Sequence, residues 1–176
     1  MKSWRRVEES RVQRCGIFDL DRVRFERSDQ KHGDFWVIKA PHWINVVPLT
    51  DDDEVLLVRQ YRFGVQTATL ELPGGMCDAD ESPLQAATRE LREETGCVAR
   101  ELVELGWVHP NPAIQDNRCY SFLARGAERV AEPTPDPNES FEQLSVPLER
   151  IPELIARGEI THSLVLAAFH LMGLPR

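Results

Sequence analysis

The sequence predicts a mixed α/β domain, with helices packed on a sheet and a small antiparallel sheet at the N-terminus. Short β-rich runs closed by turn signals recur along the chain, one segment near its middle carries a complete helix signature, and two more helical stretches close it. A length of 176 residues with 41% hydrophobic and 28% charged content suits one ordinary globular domain with room for a small appendage.

The first forty residues read as extended. Val23 and Phe25 alternate with arginines, and Phe35, Val37 and Ile38 follow a turn signal at Gly33-Asp34. Residues 43–49 and 54–62 form two further β-rich runs joined by the polar stretch Thr50 to Asp53, a hairpin signal. Residues 67–72 make a short strand ended by Pro73-Gly74-Gly75. From Ser82 the period becomes helical: Ser82 can cap, Pro83 fits the first turn, and Gly96 ends the helix after Thr95. Strands are expected at 98–108, 117–124 and from Phe141 to Val146, with a proline-rich loop over 126–140. Helices near 148–157 and 161–172, separated by Gly158, complete the pattern.

Composition excludes several function classes. With 21 Lys+Arg against 29 Asp+Glu, the formal charge of −8 argues against nucleic-acid binding through a broad basic face. No window approaches the roughly 18 apolar residues of a membrane span, and the two N-terminal arginines have no apolar signal segment behind them. Cys15, Cys77, Cys97 and Cys119 show neither CxxC spacing nor histidine partners at zinc-site intervals. Reduced thiols in a cytoplasmic protein are expected. An anionic substrate is still compatible with this charge, provided a metal ion intervenes.

The helix over 83–95 concentrates the chemistry. At about 100° per residue, Leu84, Ala87, Thr88, Leu91 and Thr95 fall on one stripe, expected to face the sheet. Glu90 and Glu94 project from one side at the border of that stripe, beside the small residues Ala86 and Ala87. Glu93 widens the acidic face, and Arg89, four residues earlier, can pair with it. Like charges at this spacing repel, more so beside a packed face. Two explanations stand on the residues alone: a solvated acidic helix face, or carboxylates gathered around a hard divalent cation such as Mg²⁺ or Mn²⁺.

The surrounding pattern is more specific. Gly75, five residues, Glu81, seven residues, then Arg89-Glu90-Leu91-Arg92-Glu93-Glu94-Thr95-Gly96-Cys97 reproduces the spacing Gly-x5-Glu-x7-Arg-Glu-U-x-Glu-Glu-x-Gly-U, where U is bulky and apolar. The chain therefore resembles the Nudix hydrolases, with its Nudix box at 75–97. Glu71-Leu72-Pro73-Gly74-Gly75 and Arg59-Gln60-Tyr61-Arg62 look like the ADP-ribose and nucleotide-sugar pyrophosphatase branch.

The resemblance implies an α/β/α sandwich with a mixed central sheet over 41–176, and N-terminal strands over 1–40 resembling the sheet by which that branch dimerises. It implies hydrolysis of a nucleoside diphosphate linked to another moiety, ADP-ribose first, with Mg²⁺ or Mn²⁺ as cofactor. Other diphosphates, or a sensor that binds without cleaving, are the alternatives. Glu90 and Glu94 would be the leading metal ligands, with Glu93 a further ligand or close support and the Gly74 carbonyl completing the set. Glu81 would sit at the rim, and Arg89 would hold the glutamates. Glu139 would be the general base, with Glu142 its runner-up. Arg62 and Arg59 would clamp phosphate oxygens. Trp36 and Trp43 are candidates to stack a nucleobase, although packing is the commoner use of such residues. After the box, Pro112 stands where relatives have a proline, but Ala113 replaces their glycine and Asn117 stands near their acid. No histidine shows ligand spacing.

Overall fold

The computed structural model describes residues 1–134 and 141–174. They form two compact units, one of residues 1–41 with 109–118, the other of 42–108 with 119–174. In the first, β1 (Trp4–Arg14), β2 (Asp19–Arg27) and β3 (His32–Lys39) make an antiparallel sheet in that order. Gly33 and Asp34 lie inside β3, and the turn falls earlier, at Ser28 to Lys31, where Gln30 adopts φ 65°. Asp34 is instead a cross-strand partner, accepting both Nε and Nη2 of Arg24. The segment 109–118 is stitched on by the Ile38 N–H to the Ile114 carbonyl (2.7 Å) and by Asn117 Nδ2 to the Pro41 carbonyl (2.9 Å).

The second unit is built on a six-stranded sheet. Its strands are β4 (Trp43–Leu49), β5 (Glu54–Arg62), β6 (Thr67–Glu71), β8 (Glu101–Val108), β9 (Cys119–Arg125) and β11 (Phe141–Pro147). Two short strands, β7 (Cys97–Val98) and β10 (Glu128–Arg129), pair separately. β4 runs parallel to β9 and the other ladders are antiparallel, so the sheet is mixed. The expected hairpin over 43–62 opens at once, because β4 and β5 pair only at Leu49 and Val55. From Val58 to Arg62 that edge of β5 pairs with β6 instead, while β11 lines its other edge from Glu54 to Gln60.

Alternation along the strands feeds two cores. Ile44, Val46, Phe122 and Ala124 pack with Ala86, Ala87 and Leu91 of α1 (Pro83–Thr95) on one face. On the other, Val47, Leu57, Leu70 and Leu123 pack with Ile151 and Leu154 of α2 (Ile151–Ala156) and with Val165, Ala168 and Phe169 of α3 (Ser163–Met172). That is the layered α/β/α arrangement.

α1 forms where its signals place it. Ser82 and Gln85 make a reciprocal capping box, Pro83 starts the helix, and Gly96 closes it in the left-handed conformation at φ 70°. The buried face is rotated from the expected stripe: Leu84 and Thr88 are exposed, whereas Ala86, Ala87, Leu91, Glu94 and Thr95 are buried. Two adjacent alanines let the helix axis approach the sheet closely, which a Leu84-centred face would not. Turning the alanines inward carries Glu94 inward with them, because residues 86, 90 and 94 share a side.

Candidate active site

The site is built where the sheet is split. The segment Pro73 to Met76 occupies the flank of β4 that β5 leaves open. The Ile44 and Val46 N–H groups donate to the carbonyls of Gly75 and Pro73, both at 2.9 Å, and Trp43 bridges to Met76. With those carbonyls turned to β4, the Gly74 N–H points the other way and donates to Glu94 Oε2 at 2.9 Å. Glu94 is 2% exposed, so its carboxylate is held by a loop that is itself held like a strand.

Both glycines are required by close approach. A Cβ on Gly74 would lie 2.3 Å from the Ile44 carbonyl oxygen, and one on Gly75 would lie 2.3 Å from Glu90 Oε1. The space that any side chain at 75 would fill is where Glu90 sits. Gly75→Ala is therefore expected to displace the Glu90 carboxylate and cut turnover at least tenfold, with a loss of about 1–3 kcal/mol in stability. Denaturant unfolding and steady-state kinetics on the same preparation check both.

Arg89 binds three carboxylates. Its Nε and Nη2 donate to Glu81 Oε1 and Oε2 (3.0 and 2.9 Å), and its Nη1 donates to Glu90 Oε1 (2.8 Å) and Glu93 Oε2 (3.0 Å). Nη2 also reaches the Met76 carbonyl (3.0 Å), tying the guanidinium to the loop. The hydrogen bonds to Glu81, ahead of those to Glu90 and Glu93, raise the Arg89 pKa above its ordinary value against the opposing effect of burial. Reciprocally, Arg89 holds the Glu81 carboxyl below its usual range. One side chain thus orients the acidic face and offsets its self-repulsion.

The family model of the NUDIX domain matches residues 41–169. The chain belongs to the Nudix hydrolases. Among curated relatives, an ADP-ribose pyrophosphatase of Bacillus subtilis is 30% identical over 125 residues, covering 70% of this chain and 68% of the relative. A CMP-5'-(N-acetyl-N-hydroxy-3-aminopropyl)phosphonate hydrolase of Streptomyces rubellomurinus is 30% identical over 138 residues, covering 78% and 66%. The chain thus spans about two thirds of the length of each. The crystal structure of an ADP compounds hydrolase superimposes with a TM-score of 0.85 at 24% identity, covering 96% of this chain and 91% of that one, which shows the fold.

Within this Nudix frame, the other sequence candidates scatter. Arg62 donates Nε and Nη2 to Glu71 (2.8 and 2.7 Å), and Arg59 meets Glu142 at 3.3 Å on the exposed face of β5 and β11. Trp43 opposes Cys119 in the β4–β9 ladder; by alternation with Ile44 it lies on the sheet face opposite α1 and its carboxylates. Trp36 is on β3, more than half exposed. Glu139 lies outside the described residues. Sequence reasoning gave no role to Glu71, which is 2% exposed and also accepts a bond from Thr69 Oγ1 (2.5 Å). Burial is the largest influence on its pKa and pushes it upward, but Arg62 and Thr69 outweigh burial and leave it lowered. Its position two residues before Pro73-Gly74-Gly75 was the signal available.

Glu90, Glu93, Glu94 and the Gly74 carbonyl offer only hard oxygen donors, which suits Mg²⁺ or Mn²⁺. Among the described residues, no three His, Cys, Asp or Glu side chains already converge into a metal cage. Mg²⁺ characteristically takes one or two carboxylates and completes its shell with water and phosphate oxygens. The Glu90 carboxylate resting in the space above Gly75, with Glu94 one turn on, fits that mode.

Proposed function

We propose that this chain hydrolyses the pyrophosphate bond of a nucleoside diphosphate joined to another moiety, ADP-ribose first, with Mg²⁺ or Mn²⁺ as cofactor. The observation that carries this reading is the pair of carboxylates, Glu90 and Glu94, pressed against the Gly74-Gly75 backbone by a helix that Arg89 braces. The B. subtilis relative, named for ADP-ribose, supports the substrate class. The S. rubellomurinus relative, named for a CMP conjugate, makes the base and the leaving group the features to test.

A bound divalent ion would screen the diphosphate and polarise its phosphoryl oxygens. Glu90 and Glu94 would hold it, with Glu93 beside them and the Gly74 carbonyl completing the set. Arg89 keeps Glu90 and Glu93 aimed, while Arg62 presents a guanidinium to phosphate oxygens and Arg59 supplies a second positive charge on the same strand. Glu139 is assigned as the general base that takes the proton from the attacking water. Glu139→Gln is expected to lower kcat on the order of a hundredfold or more with KM little changed; unchanged kcat would move the base elsewhere.

The same reading includes a homodimer formed through the N-terminal sheet, where Trp4, Val7, Val12, Phe35 and Trp36 are exposed. No helix among the described residues is long and apolar enough to cross a membrane. The deciding experiment is a panel of ADP-ribose, other nucleotide sugars, a CMP conjugate, nucleoside triphosphates and dinucleotides, in Mg²⁺ and in Mn²⁺. Products would be resolved by chromatography. Turnover of ADP-ribose to AMP and ribose 5-phosphate is expected; no turnover of any sugar conjugate would remove the proposal.

A further inference from the structure

His162 has no task in the chemistry above. Its Nε2 lies 4.0 Å from Oε2 of Glu71, the buried carboxylate on which Arg62 is docked. Its Nδ1 accepts the Leu164 N–H at 3.2 Å and caps α3. A ring nitrogen that accepts carries no proton, so the neutral imidazole has its proton on Nε2, the atom facing Glu71. Leu164 is gripped from its other end too, its carbonyl accepting from Asn45 Nδ2 at 3.0 Å. The ring is thereby anchored to β4, the strand along which Pro73 to Met76 runs.

We propose that His162 is a positioning residue whose Nε2–H, aimed by the α3 cap, fixes the Glu71 carboxylate and through it the Arg62 guanidinium that receives the substrate diphosphate. The last step rests on the function proposed above. Glu71 is 3% exposed at its side chain, so protein donors must do what water would otherwise do. Three donor contacts come from Arg62 and Thr69, and the imidazole Nε2 lies 4.0 Å from Oε2 of the same carboxylate. At 4.0 Å its N–H acts on the carboxylate as an oriented dipole rather than as a formed hydrogen bond. Burial keeps the His162 pKa low, ahead of the opposing pull of Glu71 and the further push of Arg62, which preserves the neutral tautomer. Arg62 keeps 42% of its side chain exposed. A guanidinium already docked on Glu71 loses little further freedom when it meets phosphate.

A purely structural role as an N-cap is the competing account, and two variants separate them. His162→Asn keeps a strong capping residue but is too short to reach Glu71. His162→Gln carries an amide to the former Nε2 position but caps poorly. Three readouts apply: kcat and KM for ADP-ribose in Mg²⁺, the Tm, and solvent exchange of the Arg62 Nε–H measured by NMR in the ligand-free protein. In His162→Asn, KM is expected to rise roughly three- to tenfold, kcat and Tm to stay near those of the parent, and the Arg62 Nε–H to exchange faster. His162→Gln should lose Tm while keeping KM. Unchanged KM and unchanged Arg62 exchange in His162→Asn would overturn the proposal, as would KM changes that merely track Tm in both variants. Were the parent protein to hydrolyse no diphosphate, the functional reading would fail alone, and the ligand-free exchange comparison would still decide the role of His162.

Discussion

Glu94→Gln should abolish measurable turnover of ADP-ribose, a loss on the order of three decades or more, while the protein stays folded. The substitution is nearly isosteric, and an amide oxygen can keep the bond from the Gly74 N–H that Glu94 Oε2 now accepts at 2.9 Å. What disappears is a negative charge at a position that is 2% exposed. A buried charge is costly to keep, so removing it while the Gly74 bond is kept should leave Tm near that of the parent. Loss of activity without loss of Tm is therefore the expected signature. Mn²⁺ titration followed by electron paramagnetic resonance gives a readout independent of turnover, and the variant should bind the ion more weakly than its parent. Activity within tenfold of the parent, or unchanged ion affinity, would remove Glu94 from the metal site.

Arg89→Met carries the second large effect, this time on both stability and rate. The methionine keeps an apolar stem and loses the charge that Glu81, Glu90 and Glu93 share. Breaking a fully buried ion pair costs about 3–5 kcal/mol. Arg89 has 30% of its side chain exposed, so water recovers part of that and about 2–3 kcal/mol is expected. Turnover should fall on the order of a hundredfold, since Glu90 loses the bond that aims it. The pH dependence follows from Glu81, whose pKa Arg89 lowers below the ordinary carboxylate value. A lowered carboxylate contributes stability above its unfolded pKa and loses it as pH falls through the folded value. The gap in unfolding free energy between parent and variant should thus be full at neutral pH and narrow as pH falls through the carboxylate range. A gap independent of pH would mean that packing, not charge, sets the role of Arg89. Added Mg²⁺ should restore part of the lost Tm, because the ion replaces the missing positive charge among the same carboxylates.

What the sequence made legible was whatever short-range chemistry specifies. The cap at Ser82, the stop at Gly96 and the reach of Arg89 to Glu93 each depend on residues only a few positions away, and each is found where the spacing puts it. The failures are of longer range. Helical periodicity alone put Leu84 and Thr88 inward, because it weighs hydrophobicity and not how near the helix can come to the sheet; Ala86 and Ala87 settle that by being small. Gly33-Asp34 has turn composition, yet Asp34 finds Arg24 across the ladder, and the turn moves to Ser28 to Lys31. The contact between Glu71 and His162 joins the end of a strand to the start of a distant helix, and nothing local to either residue announces it. Nor could the hairpin signal at Thr50 to Asp53 say that its two strands would part after a single pair, leaving room for the residues that hold Glu94.

The segment from Pro73 to Met76 has a consequence for how the gene can change. Its carbonyls at 73 and 75 face β4 and its N–H at 74 faces Glu94, so inserting or deleting one codon here would exchange the two sides at a stroke. The neighbouring hairpin tip at 63–66, where Phe63 and Val65 project into solvent, carries no such parity. Length variation among descendants of this chain should accumulate at the tip and be purged about ten residues later, whatever amino acids are involved.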